Sequence, residues 1–168
     1  MGIDSGTYKL FLVLHILSAI IGFGAVFLNA IYGQQARARK GREGLAISQA
    51  NFLVSSIGMY FIYAVFVFGI LLVLLSDKSW KFEQFWIWGS IGLYIIGIGL
   101  SHGVLLPNVR RMQALMGELV DAGPPSAGGP PPQVVELEER GRRVGVTGAT
   151  LNVLLVLILL LMVWKPGV

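Results

Sequence analysis

The sequence predicts an all-α polytopic membrane protein, a four-transmembrane-helix bundle making one membrane domain over residues 1–168 with both termini outside. Three observations predict it. The composition is 55% hydrophobic against 13% charged, with a mean hydropathy of +0.72, far from the mixture a soluble domain of this size uses to face water. Uncharged runs at 10–32, 52–75, 85–106 and 144–164 each reach the roughly 20 apolar residues that cross a hydrocarbon core of about 30 Å as a helix. Finally, the charge is sorted along the chain. Nine of the thirteen Lys and Arg are Arg37, Arg39, Lys40, Arg42, Arg110, Arg111, Arg140, Arg142 and Arg143, which fall in the two segments 33–51 and 107–143. By the positive-inside rule those segments are cytoplasmic and the termini lie outside.

The same counts exclude several functions. With no cysteine, disulfides, thiolate metal sites and thiol nucleophiles are absent. The net charge of +4 belongs to topology rather than to nucleic acid, for which the chain offers no folded soluble module. The first apolar run is too long for a signal peptide and lacks a basic segment before it, so it is expected to be retained.

The first helix, about 8–32, follows a short MGIDSG. His15, Ser18, Gly22, Ala25 and Asn29 share one helical face and are expected to look inward, because helices in lipid approach over small residues and a few hydrogen bonds. QQARARKGREG (34–44) reads as a juxtamembrane basic loop. In the second helix, about 52–75, the small or polar stripe is Asn51, Ser55, Gly58, Ile62, Val65 and Gly69, with Tyr60, Phe61, Tyr63, Phe66 and Phe68 largely off it. SDKSWKFEQ (76–84) is a short outer turn, and Trp80, Trp86, Trp88 and Trp164 form an interfacial aromatic belt.

The third helix, about 85–106, is glycine-rich, and Gly92, Gly99 and Gly103 predict very close packing against a neighbour. After Pro107, NVRRMQALMGELV reads as a resumed amphipathic helix with Val109, Met112, Met116 and Leu119 or Val120 on one side. DAGPPSAGGPPPQ (121–133) reads as a flexible or polyproline-like linker. VVELEERGRR opens a helix that runs into the fourth span, about 144–164, with the stripe Gly141, Gly145, Gly148 and Asn152. Its Glu136, Glu138 and Glu139 face the region of Arg110 and Arg111, so the two cytoplasmic stubs are expected to pair, each exposed pair contributing little.

His15 and His102 are the two ionisable residues inside the spans, and intramembrane ionisable residues are candidate functional sites. No Asp, Glu, Lys or Arg accompanies them, which removes paired carboxylates, hydrolytic triads and metal cages, so no catalytic residue and no metal site is assigned. A shared bis-histidine haem fails on depth. The first and third helices are parallel, and the two histidines are offset by roughly 17 Å along them at 1.5 Å per residue. Each histidine alone remains a candidate single axial ligand for a haem or chlorophyll-type tetrapyrrole, against the plainer reading that each imidazole bonds a neighbouring helix. Asn29, Asn51, His102 and Asn152, one from each helix and joined by Ser101, Thr147 and Thr150, form a polar cluster in the inner half. It reads as interhelical glue or as the pocket for a quinone or porphyrin headgroup.

LVLHILSAIIGFGAVFLNAIYGQQARARKG, three further helices and LLPNVRRMQAL after the third together resemble a bacterial family of four-helix integral membrane proteins of undefined function, over roughly residues 8–119. That resemblance implies a multi-pass protein of the bacterial inner (plasma) membrane. LHILSAI with a following glycine is also similar to the first helix of copper-resistance D proteins and HemJ-type protoporphyrinogen oxidases, whose histidine there corresponds to His15; the likeness implies a tetrapyrrole contact. Where the oxidase pattern continues with Trp, Arg and a second His, this chain has Gly22, Asn29 and Gln34 or Gln35.

The expectation carried forward is a non-enzymatic accessory or structural subunit contacting lipid and other membrane proteins, as in a respiratory or photosynthetic complex. The alternatives are a tetrapyrrole-binding redox protein or porphyrin oxidase, and a small lipid or solute carrier.

Overall fold

A computed structural model describes residues 2–39, 41–123 and 131–167. Among them the chain is helical throughout: α1 (Gly6–Ala38), α2 (Arg42–Leu75), α3 (Phe85–Leu100), a π-turn (Ser101–Leu105), α4 (Leu106–Asp121) and α5 (Pro132–Trp164). α1, α2 and α5 are each long and apolar enough to cross a membrane, as is the unbroken helix Phe85–Asp121 formed by α3, the π-turn and α4. Most of the linker expected at 121–133 lies outside the described residues.

The helices overrun the expected spans at the basic end of the bundle. Most of the segment read as a loop, 34–44, is helical: α1 continues to Ala38 and α2 resumes at Arg42. Gln, Ala, Arg and Lys are strong helix formers, and charge does not stop a helix once it has left hydrocarbon. The chain reverses between the end of α1 at Ala38 and the start of α2 at Arg42. Gly41 has φ +68°, and a Cβ on the buried Gly44 would run into the carbonyls of Arg39 and Ala36.

α1 and α2 pack face to face along the small-residue stripes read from sequence. A Cβ on Gly22 would lie 2.9 Å from Ile62 Cγ1, and one on Gly58 would lie 2.7 Å from Ala25 Cβ. Ser18, Gly22, Gly58, Ile62 and Val65 are buried there. Dispersion between closely approaching backbones holds the pair together in a solvent that offers no hydrophobic force.

The third span behaves differently from expectation. Gly92, Gly99 and Gly103 have no neighbouring atom within 4 Å of an added Cβ, so this face is unpacked. α3 instead meets α5 through Gly89, near Leu161, and Gly97, near Leu151 and Leu154, with Trp86, Ile87 and Ser90 buried. In a run where nearly every residue is apolar or small, a glycine stripe does not select one face. α2 and α3 stand apart and are bridged by long side chains: Phe66 stacks on Tyr94 at 4.8 Å, and Tyr94 Oη donates to the Ile62 backbone carbonyl at 3.4 Å.

Pro107 does not end the third helix. The π-turn before it shifts the register so that Leu106 N–H donates to Ser101 O and Pro107 falls in the first turn of α4, where a missing N–H costs nothing. Asn108 Nδ2 adds a bond to Val104 O at 2.7 Å. On the apolar side of α4, which carries Met112, Met116 and Leu119, the residue that is fully buried is Leu115, three positions after Met112 and one before Met116. α4 and α5 pair as expected: Glu136 takes Arg111 at 3.2 Å and Arg140 at 2.8 Å. Hydrogen bonds from Arg111 and then Arg140 hold the Glu136 carboxyl below its ordinary range. The pairing is therefore complete above the ordinary carboxylate range and weakens only as pH falls through the lowered value.

At the opposite end aromatic side chains of α1, α3 and the turn 76–84 meet Lys165 at the end of α5. Trp80 Nε1 donates to Tyr8 Oη at 2.9 Å, Trp80 meets the edge of Trp86, and Lys165 Nζ sits 4.0 Å from the Trp80 ring centroid and 5.6 Å from that of Trp86. Lys165 adopts a left-handed conformation at the end of α5, and a cation–π contact of this kind helps to hold it there.

Candidate functional site

Two closely packed halves, α1/α2 and α3/α4/α5, leave a cleft of about 2090 Å³ between them, reaching from mid-span to the basic end. That exceeds the roughly 300–1,000 Å³ of a pocket for a compact small molecule. Asn29, Asn51, Ser101, His102 and Asn152 all line it. The polar cluster is thus brought to one space, but hydrogen bonds do not join its members into a network. Ser55 Oγ lies 2.7 Å from both Asn29 Oδ1 and the Asn51 carbonyl, two acceptors for one hydroxyl hydrogen. Asn152 Oδ1 is buried without a partner. Thr147 is buried elsewhere, and Thr150 faces outward and bonds the Val146 carbonyl.

The two histidines occupy different settings. His15 Nδ1 is 2.9 Å from the Val65 carbonyl, and Gly69 gives the ring room, since an added Cβ there would be 3.2 Å from His15 Cε1. A carbonyl can only accept, so Nδ1 carries the hydrogen and Nε2 keeps its lone pair. His15 does not line the cleft. His102, inside the π-turn, does: its Nδ1 donates to the Ile98 carbonyl at 3.1 Å, and its Nε2 accepts from Tyr63 Oη at 2.7 Å.

A macrocycle with one axial imidazole needs a free Nε2 and a broad space in front of it. His15 offers the free nitrogen away from the cleft, and His102 faces the cleft with its nitrogen engaged. Neither residue combines the two, and no chemistry is derived through a tetrapyrrole. What His15 visibly does is pin α1 to α2. His15→Ala is expected to lower stability by about 1–3 kcal/mol through the lost hydrogen bond and the hole left against Gly69. His15→Asn, whose amide can donate to Val65, should recover part of it; thermal unfolding in detergent reads both.

Sequence reasoning missed Tyr63 as the partner of His102, because its ring reaches across from α2 to a helix whose backbone it does not approach. It also missed that Arg37 Nη2 bonds the Gly141 carbonyl at 2.7 Å, fastening α1 to α5 at the basic end. Gln113 Nε2 makes the matching link from α4 to α2 at the Ser48 carbonyl, 3.0 Å away. Arg37, Arg110 and Arg142 all line the cleft mouth. Among the described residues no group of three or more His, Cys, Asp or Glu is placed to hold a metal ion.

Four apolar spans around a cleft with a polar floor define a polytopic helical integral membrane protein. The chain belongs to the family described as "Predicted integral membrane protein (DUF2269)", whose model matches residues 9–166. No curated protein and no solved structure matches it.

Proposed function

We propose that this chain is a non-enzymatic membrane protein that holds an elongated amphipathic guest between its two helix pairs, as a carrier or a lipid-binding subunit. The cleft is the observation that carries the reading. It is too large for the polar side chains on its floor to be explained as glue alone, and Gly145 and Gly148 line it with open space in front of them. The proposed topology puts both termini outside and the basic end at the cytoplasmic face of a bacterial plasma membrane. The clustering of nine basic residues at that end supports it.

A second reading, an accessory subunit of a larger respiratory or photosynthetic complex, is favoured by a separate observation. Gly99 near the end of α3 and Gly103 in the π-turn after it, about one helical turn apart, are exposed with nothing packed on them, as a partner helix would require. Extraction of the native membrane into polymer discs, followed by intact-mass analysis, separates the two. A small amphiphile travelling with the chain, and lost from a Gly145→Leu/Gly148→Leu variant that fills the cleft, is the expected result. An empty cleft beside a stoichiometric partner protein would replace it with the accessory reading.

A further inference from the structure

We infer that the guest is an anionic phospholipid of the leaflet at the basic end, its acyl chains in the cleft and its phosphate between Arg110 and Arg142; this rests on the cleft-binding reading above. On three separate elements the polar and charged residues of the cleft lining follow its apolar residues in the same order, although apolar side chains such as Met112, Met116 and Leu137 also line it beyond the arginines. On α1 the order is Val26, Asn29, Arg37; along α3 to α4 it is Leu93, His102, Arg110; on α5 it is Leu155, Asn152, Arg142. At 1.5 Å per residue the polar side chains lie roughly 5–15 Å from the apolar ones, and the arginines a further 12–15 Å out. Apolar, uncharged polar, cationic is the depth order of acyl chain, ester and phosphate.

The cations at the mouth are free for such a head. Among the described residues Arg37, Arg110 and Arg142 make no ion pair; the bridges there are Arg111 to Glu118 and Glu136, Arg140 to Glu136 and Arg143 to Glu139. Arg110 rests its guanidinium 6.0 Å from the Phe52 ring centroid, and Arg37 is fixed by the Gly141 carbonyl. Arg39, bonded to Gln35, is a fourth cation in the lining. Two carboxylates share it: Glu118, already neutralised by Arg111, and Glu138. Positive charge therefore prevails at the mouth. Guanidinium is well matched to phosphate oxygens, which it can take in bidentate fashion.

The test is native mass spectrometry of the full chain, delipidated in a neutral detergent and offered phosphatidylglycerol and phosphatidylcholine of identical acyl chains, with inorganic phosphate in a parallel sample. The wild type is expected to retain one phosphatidylglycerol in preference to phosphatidylcholine. Arg110→Gln/Arg142→Gln should reduce that preference roughly thirtyfold, the worth of two interfacial cations. Arg42→Gln/Arg143→Gln removes the same charge at the same end from residues that do not line the cleft, and should leave the preference unchanged. Equal retention of both lipids, abolished by Gly145→Leu/Gly148→Leu, would overturn the anionic head and leave the cleft reading standing. Retention of neither, or retention that the leucines do not disturb, would overturn both. Binding of phosphate alone, lost with the two arginines and accompanied by no lipid preference, would make the guest a soluble anion.

Discussion

Gly44→Ala is expected to prevent the first two spans from forming their native pair, and to do so from a position outside both apolar runs. The added methyl meets the carbonyls of Ala36, in the last turn of α1, and of Arg39, just after it, and both are backbone atoms. No rotamer change relieves it. The helices must separate at the reversal, and with it the register that sets Gly22 against Ile62 and Gly58 against Ala25. The cost is expected at or above the upper end of the about 1–3 kcal/mol usual for overpacking. Gly41→Ala is a useful companion, because it has free space but a φ of +68° with ψ −141°, a region essentially reserved to glycine, and it should cost about 1–3 kcal/mol. Fluorescence-detected thermal unfolding in detergent ranks the two; a Gly44→Ala protein as stable as Gly41→Ala would contradict the packing.

The second large effect lies in the α1/α2 seam itself, and it separates two kinds of close approach. Gly58→Ala is expected to destabilise by about 1–3 kcal/mol, and Ala25→Gly should restore most of the loss, because the obstructing atom is the Ala25 methyl. Gly22→Ala should cost as much and resist such repair. Its Cβ would face the Ile62 backbone nitrogen at 3.0 Å as well as the Ile62 side chain, so shortening Ile62 leaves the backbone in the way. Gly92→Ala, with nothing within 4 Å, serves as the neutral reference. A double-mutant cycle on Gly58 and Ala25 measures the coupling directly.

How much of this was legible before the structure depends on contrast within each segment. In α1 and α2 the small and polar residues, His15, Ser18, Gly22, Asn29, Ser55 and Gly58, stand out against Leu, Ile, Val and Phe at helical spacing, and the predicted faces do meet. In α3 the glycines stand among residues of equal apolarity, and the face they suggested is bare. In α4 the apolar side was legible, but not which of its residues would be enclosed: Met112 and Met116 border the cleft while Leu115 between them is buried. The cleft had no signature in the sequence. It is a space between elements, set by how two halves tilt against each other. Its polar floor was legible residue by residue, because uncharged polar groups in hydrocarbon need a reason to be there.

The aromatic clasp has a mechanical consequence. Tyr8, Trp80, Trp86 and Lys165 join α1, the turn 76–84, α3 and the end of α5 at one end, whereas the other end is closed between halves by Arg37 on Gly141 and Gln113 on Ser48. The bundle is therefore a lever with its pivot among the tryptophans. Over a helix roughly 40 Å long, a tilt of about 10° at the pivot displaces the far end by about 7 Å. Such a tilt would widen the basic end by more than an acyl chain's girth only after parting Arg37 from Gly141 and Gln113 from Ser48 and, nearer mid-span, Tyr63 from His102 and Tyr94 from Ile62.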